Sequence, residues 1–139
     1  MAVAGAVVGG TACALLLPST SSGAPASGRP SVKITERDFS ITAPQHVRAG
    51  DVTLTVTNAG PDTHELIVVR SNGRSLPLRT DGLTVDEARV EPRTVGSLGG
   101  GGPHTTRTLH LHLAPGRYVL FCNMAGHFLG GMHRTLVVH

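Results

Sequence analysis

A glycine-rich stretch near the carboxyl end of the chain carries three side chains that bind soft metal ions. Cys122 offers a thiolate, His127 an imidazole and Met132 a thioether, with four residues between each and the next. This combination suits a copper ion that cycles between its two oxidation states. The glycines of the stretch disfavour a helix, so we expect these side chains to converge by loop folding. The sequence therefore predicts a metal-binding loop, and one more imidazole from elsewhere in the chain would complete the site.

The candidate for the remaining ligand is the imidazole of His64. Alternation of apolar residues over 118–122 predicts a strand that delivers Cys122 to the end of a sheet. His64 begins another apolar strand directly after the turn-forming sequence Gly60-Pro61-Asp62. A side chain at a strand end can meet a distant loop, which makes His64 the natural partner of the loop ligands.

These residues together resemble the blue-copper cupredoxins, the family of plastocyanin and azurin. The resemblance rests on a Thr-rich strand, an Asn-x-Gly sequence before a His, and Pro-Gly-x-Tyr-x3-Cys-x4-His-x4-Met, and it covers residues 31–139. It implies one copper ion per chain, cycling between Cu(I) and Cu(II). It further implies that His64, Cys122 and His127 are the trigonal ligands and that Met132 is the weak axial ligand.

Other kinds of site fit the loop less well. A structural zinc site usually takes four Cys and His ligands and seldom recruits Met. A binuclear copper centre of the cytochrome oxidase type needs a second Cys in the loop, and positions 123–131 contain none. Met124 is a second thioether, but Met132 follows His127 at the family's spacing, so we interpret Met124 as loop surface. The alternative without any metal is a buried structural Cys122 among hydrogen-bonded histidines.

Glu65 departs from the family's pattern. Many cupredoxins have a small amide or hydroxyl residue directly after the first ligand His, where it ties the two ligand-bearing segments together. We interpret Glu65 as a solvated strand residue, with a hydrogen-bond acceptor for a ligating imidazole as the alternative. A carboxylate ligand would make the site less soft.

The chain reads as all-β, and the fold we predict is an antiparallel Greek-key β-sandwich of about seven or eight strands, with the copper site at one end. One short helix is expected in the long 71–103 crossing, starting at the sequence Thr84-Val-Asp-Glu87, and Gly99–Gly102 is expected to be a flexible connector. His110 and His112 alternate with leucines, so we interpret them as solvated polar surface rather than as ligands.

The first thirty residues differ in composition from the rest. Residues 1–30 are predicted to be a leader, with a signal-like apolar segment and a Ser/Pro/Gly linker, and residues 31–139 the single copper-binding domain. Such a leader indicates a secreted, periplasmic or cell-surface protein. A secretory signal normally begins with positive charge, but the first basic residue is Arg29, so either the start lies upstream or export is the wrong interpretation. Membrane attachment is expected only through lipidation of Cys13.

Two functions agree with these features. The first is a one-electron carrier outside the cytoplasm, and the second is a protein that stores or delivers copper. Copper oxidases and nitrite reductases need further copper sites across several domains, and 139 residues leave no room for these, so we expect no enzyme. The net charge of +3 comes from scattered rather than clustered Arg residues, which argues against nucleic acid as a partner.

The resemblance also implies how a carrier would meet its partner. We expect a monomer that binds a redox protein transiently and takes no small-molecule substrate. In the family the second His ligand reaches the surface within an apolar patch. The corresponding residues around His127 are Met124, Ala125, Phe128 and Leu129.

Overall fold

The computed structural model describes residues 1–2, 5 and 28–139. Most of the predicted leader, including Cys13, lies outside the described residues, so its cleavage or lipidation stays a prediction. No helix in the described ranges has both the length and the apolar character needed to cross a membrane.

In the part of the chain that the structure describes, nine strands form two sheets that enclose one core. In chain order the strands are β1 (Ser31–Arg37), β2 (Ser40–Thr42), β3 (His46–Val47), β4 (Gly50–Asn58), β5 (His64–Arg70), β6 (Thr94–Gly101), β7 (Thr106–Leu113), β8 (Gly116–Phe121) and β9 (His133–Val138). One sheet has the order β2-β1-β4-β7 and the other β3-β9-β8-β5-β6. The all-β sandwich is therefore confirmed. The antiparallel description is wrong for two pairs, because β1 runs parallel to β4 and β3 parallel to β9.

Period-two alternation explains why these segments form strands. In β4, Val52, Leu54 and Val56 are fully buried, while the threonines between them face outward and are partly exposed. β-Branched side chains pack well on such a half-buried pleated surface. In β8 both faces are covered, because Tyr118 and Leu120 point into the main core and the neighbouring residues into a second apolar cluster.

The 71–103 crossing builds that second cluster on the outer face of the sheet. Its only α-helix, α1 (Glu87–Val90), confirms the single short helix that the sequence predicts. The predicted start is wrong: Asp86, not Thr84, caps the helix by accepting from the backbone N–H of Arg89. Val85 still pairs with Leu78 in an isolated β-bridge, so the chain remains extended one residue past Thr84.

The glycine run at the end of the crossing is not a flexible connector. Residues up to Gly101 belong to β6, which pairs with β5 as far as His64. Backbone N–H and C=O groups make these ladder bonds, so the strand forms without side chains. This pairing places β6 beside the first residue of β5.

A buried ion pair links β1 to β7 inside the sandwich. The carboxylate of Glu36 is fully buried, and its Oε2 accepts from Nη2 of Arg107 at 2.7 Å. Its other oxygen, Oε1, has no hydrogen-bond partner among the described residues. Burial raises the pKa of Glu36, and the guanidinium of Arg107 opposes this shift. The ion pair thus joins β1 to β7 across β4, which lies between them in the sheet.

Candidate metal centre

Strand ends place the candidate ligands at one end of the sandwich. β5 and β8 are antiparallel neighbours, so the first residue of β5 and the last of β8 lie at the same edge. His64 begins β5, and Cys122 follows β8 directly. His127 lies in the loop after Cys122, and Met132 ends that loop immediately before β9.

Three of the four predicted ligands converge. The ligand atoms of His64, Cys122 and His127 all lie within 4.8 Å of one another. Sγ of Cys122 is 3.6 Å from Nδ1 of His127, and the two imidazole rings are 5.2 Å apart between centroids. His64 and Cys122 are fully buried, while His127 is partly exposed. One thiol and two imidazoles therefore share a small, largely dry space.

Backbone hydrogen bonds bring Met132 back beside Cys122. The N–H of Cys122 donates to the carbonyl of Met132 at 3.1 Å, and the N–H of Met132 donates to the carbonyl of His127 at 3.0 Å. Met132 is fully buried, whereas Met124 is 38% exposed. The thioether at the family's spacing thus lies inside the protein, next to the cysteine, and the rival thioether lies at the surface.

The imidazole of His64 is held in one orientation. Its Nε2 is 3.0 Å from Oδ1 of Asp38, and because a carboxylate only accepts, the Nε2–H group donates a hydrogen bond to it. Its Nδ1 is buried and has no hydrogen-bond partner among the residues that the structure describes. Burial lowers the pKa of His64, which favours the neutral ring, while Asp38 opposes the shift. A buried nitrogen lone pair without a partner is costly, and a metal ion would satisfy it.

The thiol of Cys122 is in an environment that suits a bound metal. Burial raises its pKa, so the free thiolate is disfavoured at neutral pH. Backbone hydrogen bonds from Glu65 and Met124 oppose this shift by stabilising the charged sulfur. A metal cation would add the missing compensation and displace the proton. The donor set and its surroundings therefore fit a copper ion.

Glu65 is not the solvated residue that we expected. Its Oε1 accepts from the backbone N–H of Asn123 at 3.1 Å, and the side chain is half-buried. Burial raises the pKa of Glu65, and the negative charge of Glu87 adds to this effect. Asn123 in turn donates to Oε1 of Glu87 at 2.7 Å. Glu65 thus ties the segment of His64 to the segment of Cys122, and Asn123 links both to Glu87 in α1.

Asn58 fixes the turn that precedes His64. Its side-chain amide donates to the carbonyls of Asp62 and Gly101 at 2.7 and 3.0 Å, and its oxygen accepts from the backbone N–H of Gly60 at 2.9 Å. The side chain is fully buried. These bonds hold the turn against the end of β6 and so fix where β5 begins.

Sequence reasoning missed two residues of the site, Asp38 and Phe39. Both lie in the turn between β1 and β2. Asp38 contacts His64, and the ring of Phe39 meets that of His127 edge-on, with centroids 5.5 Å apart. They lie at least 25 residues before the nearest ligand, and no local pattern marks them.

The residues predicted to form the apolar patch divide into two groups. Met124, Ala125 and Leu129 are exposed, Leu129 by 53%. Phe128 is half-buried and packs edge-on against Phe121, with centroids 5.7 Å apart. Phe128 therefore joins the second apolar cluster, whereas Met124, Ala125 and Leu129 are exposed apolar residues of the His127 loop and the exposed ring of Phe39 contacts His127.

His110 and His112 lie apart from this centre, on the outer face of β7. Both are exposed, and their Nδ1 atoms are 3.0 Å from Oγ1 of Thr53 and 2.9 Å from Oδ1 of Asp51. These contacts agree with their interpretation as polar surface.

Comparison with solved structures identifies the fold. Similar structures include a reduced auracyanin from Roseiflexus castenholzii (TM-score 0.59, 19% identity, 81% of this chain and 99% of that one). Others are the "blue" copper protein auracyanin A from Chloroflexus aurantiacus (0.58, 19%, 81% and 100%) and rusticyanin from Thiobacillus ferrooxidans (0.58, 15%, 81% and 79%). No family model and no curated protein matches the sequence. The fold is that of the blue-copper cupredoxins, which confirms the predicted architecture.

Proposed function

We propose that this protein is a mononuclear type 1 copper protein that carries single electrons outside the cytoplasm. The observation that supports the proposal most is the convergence of His64, Cys122 and His127 at one end of a cupredoxin sandwich. Met132, buried beside the cysteine, is the proposed axial ligand. The extracytoplasmic location rests on the signal-like composition of residues 1–30.

The surrounding residues support this function in distinct ways. When bound, copper supplies a one-electron couple, because thiolate and imidazole ligands accommodate both of its oxidation states. The sandwich holds the ligands at strand ends and in a hydrogen-bonded loop, which limits the change in geometry between those states. The burial of Cys122 and His64 would keep water away from a bound ion. The partly exposed ring of His127 gives the electron a short route to the surface.

The same burial favours a carrier over copper storage or delivery. A cargo site must release its metal to a partner, which requires accessible ligands. Here His64, Cys122 and Met132 are all fully buried. We expect no catalysis and a transient redox protein as the partner.

The absorption spectrum of the copper-loaded protein tests the proposal. We expect one Cu(II) per chain and an intense visible band from charge transfer between the thiolate and the metal. Zn(II), which has no partly filled d shell, should bind without colour and serves as the control. Reduction and reoxidation should proceed without loss of copper. Copper binding without the visible band would contradict a type 1 site, and release of copper to a weak chelator on reduction would favour the cargo function.

Substitution of Met132 by glutamine tests the axial position. A long axial contact tunes the reduction potential more than it holds the metal. We therefore expect Met132→Gln to retain copper and to lower the reduction potential, because an amide oxygen is harder than a thioether and favours Cu(II). Cyclic voltammetry measures the shift, with Met124→Gln as a control at the exposed thioether. Complete loss of copper from Met132→Gln would assign this side chain another role.

A further inference from the structure

The turn between β1 and β2 contacts both histidines of the metal centre. Asp38 accepts a hydrogen bond from Nε2 of His64 at 3.0 Å, and the neighbouring Phe39 packs on the ring of His127. Two consecutive residues of one turn thus hold one imidazole each. Neither residue is close to the ligands in sequence. The contact with His64 exists only because the sandwich brings the turn after β1 beside the start of β5.

The backbone of this turn is in a conformation that packing must maintain. Phe39 has φ of +61°, a left-handed value that is uncommon for a bulky side chain. Such a conformation is unfavourable for a side chain of this size and persists where the surroundings enforce it. Unfavourable backbone conformations of this kind cluster at functional sites, and Phe39 lies next to the candidate metal centre.

Two glycines make room for the turn, one in each histidine-bearing segment. A Cβ atom at Gly60 would lie 2.8 Å from Oδ1 of Asp38, and a Cβ atom at Gly130 would clash with the Phe39 ring. Gly60 precedes His64 by four residues, and Gly130 follows His127 by three. A side chain at either glycine would push the turn away from its histidine. The close fit shows that the turn is a built part of the site.

Asp38 differs from a neutral acceptor in its charge. Its side chain is 28% exposed and its partner His64 is fully buried, so the carboxylate stays hydrated on one side while it faces the buried ring on the other. An imidazole that donates to a carboxylate becomes a stronger electron-pair donor at its other nitrogen. That other nitrogen, Nδ1, is the buried atom left without a partner among the described residues.

We propose that Asp38 is a positioning residue of the metal centre: its carboxylate keeps His64 in the tautomer whose Nδ1 is free for the metal, and its negative charge favours oxidised over reduced copper. The inference rests on the proposed copper function. Phe39 supports it by anchoring the turn on His127. Asp38 acts through His64 and does not touch the metal.

Three variants separate the hydrogen bond from the charge. Asp38→Ala removes both, and Asp38→Asn keeps an oxygen acceptor but removes the charge. Asp62→Asn is the matched control, because Asp62 is exposed and acts on His64 only through space. Circular dichroism reports whether each variant is folded. If Asp38→Ala does not fold, the reduction potential of Asp38→Asn against that of Asp62→Asn decides the question.

Two measurements do not depend on copper chemistry. Nitrogen-15 NMR of the metal-free protein should show His64 protonated at Nε2 in the wild type, Asp38→Asn and Asp62→Asn, and mixed tautomers in Asp38→Ala. The affinity for Zn(II) should fall about 10- to 100-fold in Asp38→Ala, as is usual when the supporting partner of a ligand is lost. It should largely recover in Asp38→Asn. Unchanged tautomer and affinity in Asp38→Ala would overturn the proposal.

The reduction potential tests the effect of the charge. We expect it to rise in both Asp38 variants and to change much less in Asp62→Asn, because only Asp38 acts through a hydrogen bond to a ligand. An unchanged or lower potential in Asp38→Asn, or an equal rise in Asp62→Asn, would also overturn the proposal. The failure of the copper function would look different: the wild type would lack the visible band, while the NMR and Zn(II) results would still report on Asp38.

Discussion

Cys122→Ser will abolish the intense visible absorption of the copper-loaded protein and weaken copper binding severely. The visible band arises from charge transfer out of the thiolate, and no other thiol lies among the described residues. Loss of a residue that only supports a ligand typically lowers metal affinity about 10- to 100-fold. Loss of the ligand Cys122 itself should lower copper affinity by more than that. Absorption spectroscopy and competition with a copper chelator measure the two effects.

The chain contains its own control for this experiment. Its other cysteine, Cys13, lies in the predicted leader, so Cys13→Ser should leave both the band and the affinity unchanged. Serine is close in size to cysteine, and the fully buried position of residue 122 should tolerate it without a large cavity. Metal-free Cys122→Ser should therefore still fold. A wild-type spectrum in Cys122→Ser would refute the assignment of Cys122 as the thiolate ligand.

The ligands could be predicted from the sequence because each is marked by local chemistry. Cys122 and His127 lie at a fixed spacing in a loop that glycines keep from becoming a helix, and His64 follows a turn sequence at the start of a strand. Period-two alternation marks the strand that delivers Cys122 and shows which side chains share a face. Because β5 and β8 pair antiparallel, two strand ends that are 58 residues apart meet at one edge.

The supporting residues could not be predicted, because tertiary packing decides their environment. Glu65 has a charged side chain on a strand, and only the fold brings it against the backbone of Asn123, whose side chain also bonds Glu87 of α1. Asp38 lies in a turn that no sequence pattern distinguishes, and its role depends on contact with a histidine 26 residues away. Glycines near residue 100 carry no side-chain signal for a strand, although their backbones pair with β5. Local sequence thus identifies the donors of the site but not what orients them.

The second large effect concerns the route of the electron. His127 is partly exposed, the exposed ring of Phe39 packs against it, and Met124, Ala125 and Leu129 are exposed apolar residues of the same loop. Brief electron-transfer encounters bury little surface, typically less than about 1,200 Å² in total, and a small apolar patch suits such contact. Two copies of the protein that exchange an electron would bring these patches together.

Leu129→Glu should therefore slow self-exchange while the visible band stays intact. The residue is 53% exposed, so the carboxylate is solvated in the free protein and should not disturb the ligands. In the encounter complex two such carboxylates would face each other across an apolar contact. Juxtaposed like charges cost several kcal/mol, and about 1.4 kcal/mol already corresponds to a factor of ten. We expect self-exchange, measured by NMR line broadening in mixed Cu(I) and Cu(II) samples, to fall at least about tenfold.

Two controls test whether the effect of Leu129→Glu arises at the apolar patch: the same charge at a distant position, and added salt. Val95→Glu places the same charge on another exposed apolar residue, next to Thr94, which pairs with Val69 far along β5 from His64. That variant should exchange electrons at nearly the wild-type rate. Added salt screens exposed charges, so it should restore part of the rate in Leu129→Glu, but not the part lost by burying a carboxylate against apolar surface. An unchanged rate in Leu129→Glu would place the electron route elsewhere or favour copper as cargo, because a protein that only transfers the metal needs no such surface.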